Sequence, residues 1–454
     1  MCGVFGIENN KNAAQIVFAG LLNLQHRGQE AAGEAVYDPK IKTIRCHVGR
    51  GGVLNAFNGA PAALGGSCAI GHVRYATSGK IVPQNPHQNA QPFVFNTRRG
   101  QTALAHNGNI YNDKELAAAL RRGGAIFAHT SDSEHIMHLI ERQKGPLLQA
   151  LPPALKKLNG AYALILLENG RLIGVRDPYG IRPLVLGRLG KSYILSSESI
   201  AIEMCGGKVV RDVAPGEIIV IENGRIKKSF IFERKKRFAP CVFEQVYFAS
   251  PASRVCGKSV AAARMEMGRA LARQMKDIKA DFVMPVPDSG IFAARGFARE
   301  AGIPFEFGLV RNHYMGRSFI TPDQKIRENI VRVKLLPVKE KIKGKKIILI
   351  DDSLVRGTTA GKIVKLLKDC GAKEVHFALS SPPIISPCFY GIDTPTKKEL
   401  IAASVPLPQI RRQISADSLT FLSPQNLIAA AGSGKCKNFC TACFTGKYPT
   451  GIKI

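Results

Sequence analysis

Acidic residues are scarce in this chain: 34 Asp and Glu stand against 64 Lys and Arg in 454 residues, a formal net charge of +30. Such a balance suits anionic substrates or nucleic acid. Nucleic-acid signatures are nevertheless missing. The basic residues are spread along the chain, as in Arg121-Arg122, Lys156-Lys157, Lys235 to Arg237 and Lys341 to Lys346. No RNA- or DNA-binding motif and no aromatic stacking pattern accompanies them, so no specific nucleic-acid partner is expected, only nonspecific, salt-sensitive association. No stretch has the length and continuous apolarity of a membrane helix, and no membrane partner is expected. The uncharged run Gly51 to Val73 comes nearest, but its Asn55, Asn58, Pro61 and many glycines read as packed turns and strands. The first thirty residues lack the basic start and apolar run of a secretory signal. Internal repeats and low-complexity tracts are absent. These absences predict a cytoplasmic globular protein, with length for two or three domains and an ordinary 45% hydrophobic content. Its eleven cysteines then read as thiols or metal ligands, because structural disulfides are uncommon in that compartment.

Two nucleotide signatures are also absent, the GxxxxGK[ST] lysine and GxGxxG. In their place stands Lys345 to Gly371, KKIILIDDSLVRGTTAGKIVKLLKDCG: a β-branched strand (Ile347 to Ile350), an acidic pair (Asp351, Asp352), a Gly/Thr loop, and a helix. Ile363, Val364, Leu366, Leu367 and Cys370 keep helical spacing, and Gly371 is the expected stop. Ligands of open α/β sheets gather where strands end, and the free N–H groups of a helix start favour a phosphate. Two carboxylates there suit the 2- and 3-hydroxyls of a ribose and, directly or through water, a Mg²⁺ on a pyrophosphate. An ordinary βα unit with an acidic strand end is the plainer reading, which the ordered string DDSLVRGTT disfavours. The segment resembles the phosphoribosyl-pyrophosphate motif of type I phosphoribosyltransferases, implying Asp351, Asp352, Ser353, Arg356, Gly357, Thr358 and Thr359 as binding residues. Upstream, Val286 to Gly290 (VPDSG) follows a strand and precedes a helix, so its N–H groups can meet a second phosphate. Asp288, Ser289 and Gly290 are assigned to the pyrophosphate, and by resemblance Ser289 joins Asp351 and Asp352 around Mg²⁺.

At the other end, Met1 precedes Cys2 and the small Gly3, a context in which the initiator methionine is expected to be removed. Cys2 would then carry an α-amino group with a reference pKa near 8, able to act as general base for its own thiol. A lone second-position cysteine is more often incidental. This one is followed in order by HRGQE (His26 to Glu30), GHVRYATSG (Gly71 to Gly79), HNGNI (His106 to Ile110) and SDSE (Ser131 to Glu134). Together these resemble the glutaminase domain of the N-terminal-nucleophile amidotransferases. The resemblance implies that Arg74 binds the glutamine α-carboxylate and Asp132 its α-amino group. It also implies that Asn107 and Gly108 form the oxyanion hole and that Arg27 gates or supports the site. Donors aimed at developing charge are each worth about 3 kcal/mol in acyl transfer.

With both motif sets in one chain, the sequence resembles the glutamine phosphoribosylpyrophosphate amidotransferases over nearly its whole length. DPYGIRPL (Asp177 to Leu184), APGE (Ala214 to Glu217), GRSFITPDQ (Gly316 to Gln324) and ACFTGKYP (Ala442 to Pro449) fit too. The expected fold is an α+β N-terminal-nucleophile sandwich (αββα) over residues 1–234, then an α/β type I phosphoribosyltransferase domain with a doubly wound parallel sheet over 235–454. The basic segment Arg225 to Pro240 marks the boundary. The implied reaction converts phosphoribosyl pyrophosphate, glutamine and water to 5-phosphoribosylamine, glutamate and pyrophosphate. Ammonia passes internally between the two sites, starting purine synthesis under feedback by purine nucleotides, in a homo-oligomer that the resemblance implies is a tetramer. Arg311 to Asn329, with Arg311, Arg317, Lys325 and Arg327, matches the family's substrate-closing loop, although Arg311 and His313 stand where lysine and arginine are usual; a solvated basic loop is the alternative. Cys440 and Cys443 have metal-site spacing with Cys436 nearby. Resemblance to the cluster-bearing branch pairs them with Cys241 and Cys388 around a structural or oxygen-sensing [4Fe-4S] cluster, while a Cys₄ zinc site, with Cys436 substituting for one ligand, or inert thiols are the alternatives. That branch usually has a propeptide; with only Met1 here, self-processing is not required. A phosphoribosyl-pyrophosphate-binding regulatory protein explains the cradle but not Cys2, Arg74, Asn107 and Asp132. An amidotransferase for another acceptor explains those residues but not DDSLVRGTT.

Overall fold

The computed structural model describes residues 1–75, 89–235, 237–312, 334–394, 396–434 and 436–452. They group into two compact units. The first holds Met1–Cys241 with Cys388–Asp393 and Pro449–Ile452; the second holds Val242–Pro387 and Thr394–Tyr448.

The first unit is built on two antiparallel sheets. One runs, edge to edge, Lys208–Asp212, Val185–Leu189, Ser192–Ser196, Gly3–Glu8, Cys68–Arg74, Ala31–Asp38 and Thr43–Arg50. The other runs Arg225–Ile231, Glu217–Glu222, Arg171–Arg176, Gly160–Glu168, Gly100–Ile110 and Phe93–Thr97. Side-chain alternation explains the layering, since successive residues of a strand face opposite sides. Along Gly160–Glu168, Ala163, Ile165 and Leu167 join Val4, Ile70 and Ala105 in the core between the sheets. Tyr162, Leu164 and Leu166 join Ile136, Ile140 and Leu151 of the covering helices. On the far side Phe5 and Ile7 pack on Val17 and Leu21 of helix Ala13–Asn23. The result is the αββα order expected. A strand apolar on both faces belongs inside such a stack, and truncating fully buried Leu166 to alanine is worth ~2–5 kcal/mol.

The second unit centres on a sheet of parallel strands in the order Phe282–Pro285, Lys346–Asp351, Glu374–Leu379 and Ser418–Phe421. Ile347, Leu349 and Phe377 are packed by Ile363, Val364 and Leu367 of helix Thr358–Asp369. Pro285 lies opposite Ile350 in the register, and the Val286 N–H donates to the Ile350 carbonyl (2.8 Å). The loops leaving these two strands therefore start side by side at their carboxyl ends.

Element limits differ from the sequence reading where capping decides them. Helix Val260–Gln274 starts where it does because the Ser259 hydroxyl accepts the Ala262 N–H and makes Ser259 the cap. Gly51 to Val73 contains a short helix, Val53–Ala56, besides strand and turn. Gly371 adopts φ of +87° just after the helix that it was expected to stop.

Candidate active sites

In the first unit, Cys2 leads directly into the strand Gly3–Glu8. Its thiol donates to the Tyr75 carbonyl at 3.4 Å. Burial pushes the thiol above its usual pKa, opposed mainly by the nearby N-terminal ammonium. Arg27, fully buried, donates through Nε to the Cys2 carbonyl (2.9 Å) and through Nη1 to Glu198 (2.5 Å), which also meets His26 Nε2 at 2.7 Å. Gly28 lets this turn lie against the next strand, since a Cβ there would sit 2.5 Å from the Arg74 carbonyl carbon. Arg74 ends the strand Cys68–Arg74 and pairs with Glu30 (3.0 Å).

Asn107 and Gly108 lie on strand Gly100–Ile110 opposite Ala163 and Tyr162. Position 108 admits only glycine, because a Cβ would come within 2.0 Å of the Ala161 carbonyl oxygen. Asn107 is fully buried, and neither polar atom of its side chain has a hydrogen-bond partner among the described residues. A buried unpaired amide is costly, and this one stands in the chain between His106 and Gly108, which line the cavity with Cys2, while Asn107 itself does not. Asp132 opens helix Asp132–Glu141, whose cap is Ser131, and accepts the Ile110 N–H at 3.0 Å. Cys2, Arg74, Gly108 and Asp132 line one small cavity together with Gln91 and His106. Behind them Gln91 accepts the His106 N–H (2.8 Å), and His106 Nδ1 meets the Ser133 hydroxyl (3.0 Å). Glu198 and Gln91 carried no signal in the sequence; Glu198 reaches Arg27 across 171 positions.

The second unit gathers the acidic pair and the VPDSG loop. Ser289 Oγ donates to Asp351 (3.1 Å), and the Asp352 N–H donates to the same carboxylate (2.8 Å). Ser353 Oγ donates to Asp352. Gly290, next to Ser289, approaches the Ile350 carbonyl so closely that a Cβ would lie 2.2 Å away. Burial pushes both carboxyls above the usual range, Asp351 further because Asp352 lies beside it. A divalent cation or ribose hydroxyls would relieve that load, and hard oxygen donors suit Mg²⁺. Gly357 has φ of +78° and precedes helix Thr358–Asp369, so the first-turn N–H groups of Thr358 and Thr359 face the loop. Arg356 is exposed and pairs with Glu399 (3.1 Å). Asp288 pairs with Arg311, the last residue of strand Leu309–Arg311. His313, Arg317, Lys325 and Arg327 lie outside the described residues, as do Ala76 to Gly79.

All eleven cysteines are outside disulfides; Cys241, Cys436, Cys440 and Cys443 are buried and Cys388 is half-buried. Among the described residues no group of three or more His, Cys, Asp or Glu is disposed to hold a metal ion.

Residues 77–204 match a glutamine amidotransferase domain and residues 260–381 a phosphoribosyl transferase domain. The chain is 44% identical to the amidophosphoribosyltransferase of Archaeoglobus fulgidus, covering all of this chain and 98% of that one. It is likewise 44% identical to the Bacillus subtilis enzyme, covering 99% and 94%. The solved structure of B. subtilis glutamine phosphoribosylpyrophosphate amidotransferase complexed with ADP and GMP aligns with a TM-score of 0.91 at 43% identity, over 99% of this chain and 97% of that one.

Proposed function

The chain belongs to the amidophosphoribosyltransferase family, whose members catalyse the first step of purine biosynthesis, and from that premise we propose how its residues divide the reaction. With Met1 removed, the Cys2 α-amino group takes the thiol proton and the thiolate attacks the glutamine carboxamide carbon. Asn107 Nδ2 and the Gly108 N–H receive the oxyanion. The proton returns to the leaving nitrogen, ammonia departs, and water hydrolyses the thioester to glutamate. Arg74 and Asp132 hold the amino-acid end of glutamine, and Arg27 fixes the Cys2 carbonyl. The observation that carries this reading is the single cavity lined by Cys2, Arg74, Gly108 and Asp132.

In the second unit, Asp351 and Asp352 take the ribose hydroxyls, and Ser353, Arg356, Gly357, Thr358 and Thr359 take the 5-phosphate. Asp288, Ser289 and Gly290 take the pyrophosphate. Ser289, Asp351 and Asp352 are the residues for Mg²⁺, which when bound neutralises charge on the leaving pyrophosphate. Ammonia displaces pyrophosphate at ribose C1. The functional division at 234/235, a cytoplasmic location, homo-oligomerisation and purine-nucleotide inhibition belong to the same proposal; the nucleotides bound to the B. subtilis relative support the last. The [4Fe-4S] reading, with Cys241, Cys388, Cys440 and Cys443 as ligands, rests on the resemblance to the cluster-bearing branch, spacing alone pointing only to Cys440 and Cys443; iron, sulfide and zinc analysis of anaerobically purified protein decides it.

The test is glutamate release from glutamine by anaerobically purified protein, with and without Mg²⁺ and phosphoribosyl pyrophosphate. Strong stimulation with matching pyrophosphate release is expected. Glutamate release indifferent to that substrate would overturn the coupled mechanism and point to another acceptor.

A further inference from the structure

A short segment from late in the chain belongs to the first unit. Cys388–Asp393 groups there together with Pro449–Ile452, and its contacts fall on the residues around the oxyanion hole. The Asn109 side-chain amide donates to the Phe389 carbonyl at 3.0 Å, across 280 positions. The Phe389 ring packs edge-on against Tyr111 with centroids 5.2 Å apart. Gly391, at φ of +102°, lies so near Gly108 that a Cβ would meet its carbonyl carbon at 3.0 Å, its oxygen at 3.1 Å and its Cα at 3.2 Å. Gly108 is thus confined on both sides, by Ala161 within its own sheet and by Gly391 from the strap.

The strap is itself clasped. Tyr390 is 1% exposed, and its hydroxyl sits 2.8 Å from Thr450 Oγ1 while accepting the Thr450 N–H at 3.2 Å. The Tyr390 N–H donates to Cys388 Sγ at 3.3 Å. Loops whose only duty is connection do not need a buried tyrosine clasp and a positive-φ glycine pressed on a peptide of the catalytic strand.

We infer that the strap Cys388–Asp393 is a positioning element of the glutaminase site, holding the Gly108 peptide and the Asn107 to Asn109 strand end in register with Cys2. Gly391 and Tyr390 are its positioning residues; neither lines the cavity of Cys2. The inference rests on Asn107 and Gly108 forming the oxyanion hole. Transition-state donors lose their effect with displacements well under 1 Å, whereas ground-state glutamine binding through Arg74 and Asp132 does not depend on them.

The test uses the full chain with Gly391→Ala and the milder Tyr390→Phe. Three quantities are measured: glutamine hydrolysis, the alkylation rate of Cys2 by iodoacetamide, and phosphoribosylamine formation from ammonium in place of glutamine. For Gly391→Ala, kcat for glutamine hydrolysis falls ~10-fold or more with KM within about twofold, since a lost oxyanion donor is worth ~10²–10³-fold and a displaced one less. For Tyr390→Phe the fall is smaller and of the same kind. Alkylation and the ammonium reaction stay at wild-type rates. Unchanged kcat in both variants overturns the inference, as does a raised KM at constant kcat. If Gly391→Ala loses the ammonium reaction as well, it has misfolded and Tyr390→Phe decides. A wild-type protein that releases no glutamate overturns the underlying functional reading instead.

Discussion

Cys2 has its proposed general base only once Met1 is gone, and in the structure Met1 is buried, with its sulfur against Arg182. Cys2→Ala is therefore expected to abolish glutamine hydrolysis, a loss beyond ~10³-fold for a covalent nucleophile, while the ammonium-dependent reaction persists; parallel assays with the two nitrogen sources check this. A second residue makes a pH prediction. Glu34 is fully buried, its carboxylate oxygens have no partner among the described residues, and burial pushes its pKa up to about 8. It lies opposite Gly71 and His47 in the sheet. A carboxyl whose folded pKa is raised favours the folded state fully only below its unfolded value, near 4.5. That contribution declines as pH rises and is gone above about 8. Glu34→Gln, which stays neutral, is expected to melt increasingly higher than wild type between pH 5 and 8, by an increment on the order of 4 kcal/mol at the upper end. Parallel melting curves across that range check it, and a constant difference would refute it.

Helices Val260–Gln274 and Ile291–Ala301 cross at two glycines. A Cβ at Gly268 would sit 1.9 Å from the Ala293 carbonyl oxygen, and one at Gly296 would sit 2.0 Å from that of Met265. Alanine has the higher helix propensity by ~1 kcal/mol, but a backbone contact near 2 Å can be relieved only by moving a helix, and overpacking costs ~1–3 kcal/mol. The clash wins, so Gly268→Ala is expected to lower the melting temperature and raise KM for phosphoribosyl pyrophosphate, because the displaced helix begins just after Ser289 and Gly290. Thermal melts and substrate titration check both. Asp351 to Thr359 and the four N-terminal strings could be read because each packs its chemistry into a few consecutive residues, and the fold brings Cys2, Arg74, Gly108 and Asp132 to one cavity. Nothing local marks the apolar run Gly160–Glu168 as the layer between a second sheet and a set of helices. Glu198, Gln91 and the strap at Gly391 were silent, since each acts on a residue far away in sequence and nothing local marks the contact.

The net charge of +30 exceeds what a phosphate cradle needs, and it acts on the molecule as a whole. Of the two substrates, phosphoribosyl pyrophosphate carries several negative charges and glutamine is net neutral at pH 7. A surplus of cations raises the local concentration of the first and speeds its encounter, an effect that falls as the Debye length shortens from about 10 Å at 0.1 M salt to about 3 Å at 1 M. Contacts inside the cradle are partly buried and are screened less. KM for phosphoribosyl pyrophosphate is therefore expected to rise severalfold between ~0.05 and ~0.5 M potassium chloride, with kcat little changed and KM for glutamine constant within about twofold. Equal salt dependence of both KM values would mean that salt acts on the fold, not on steering. A flat response of both would leave the basic surface without a part in substrate capture, and binding of nonspecific nucleic acid at physiological ionic strength, read by gel shift, becomes the next measurement for it.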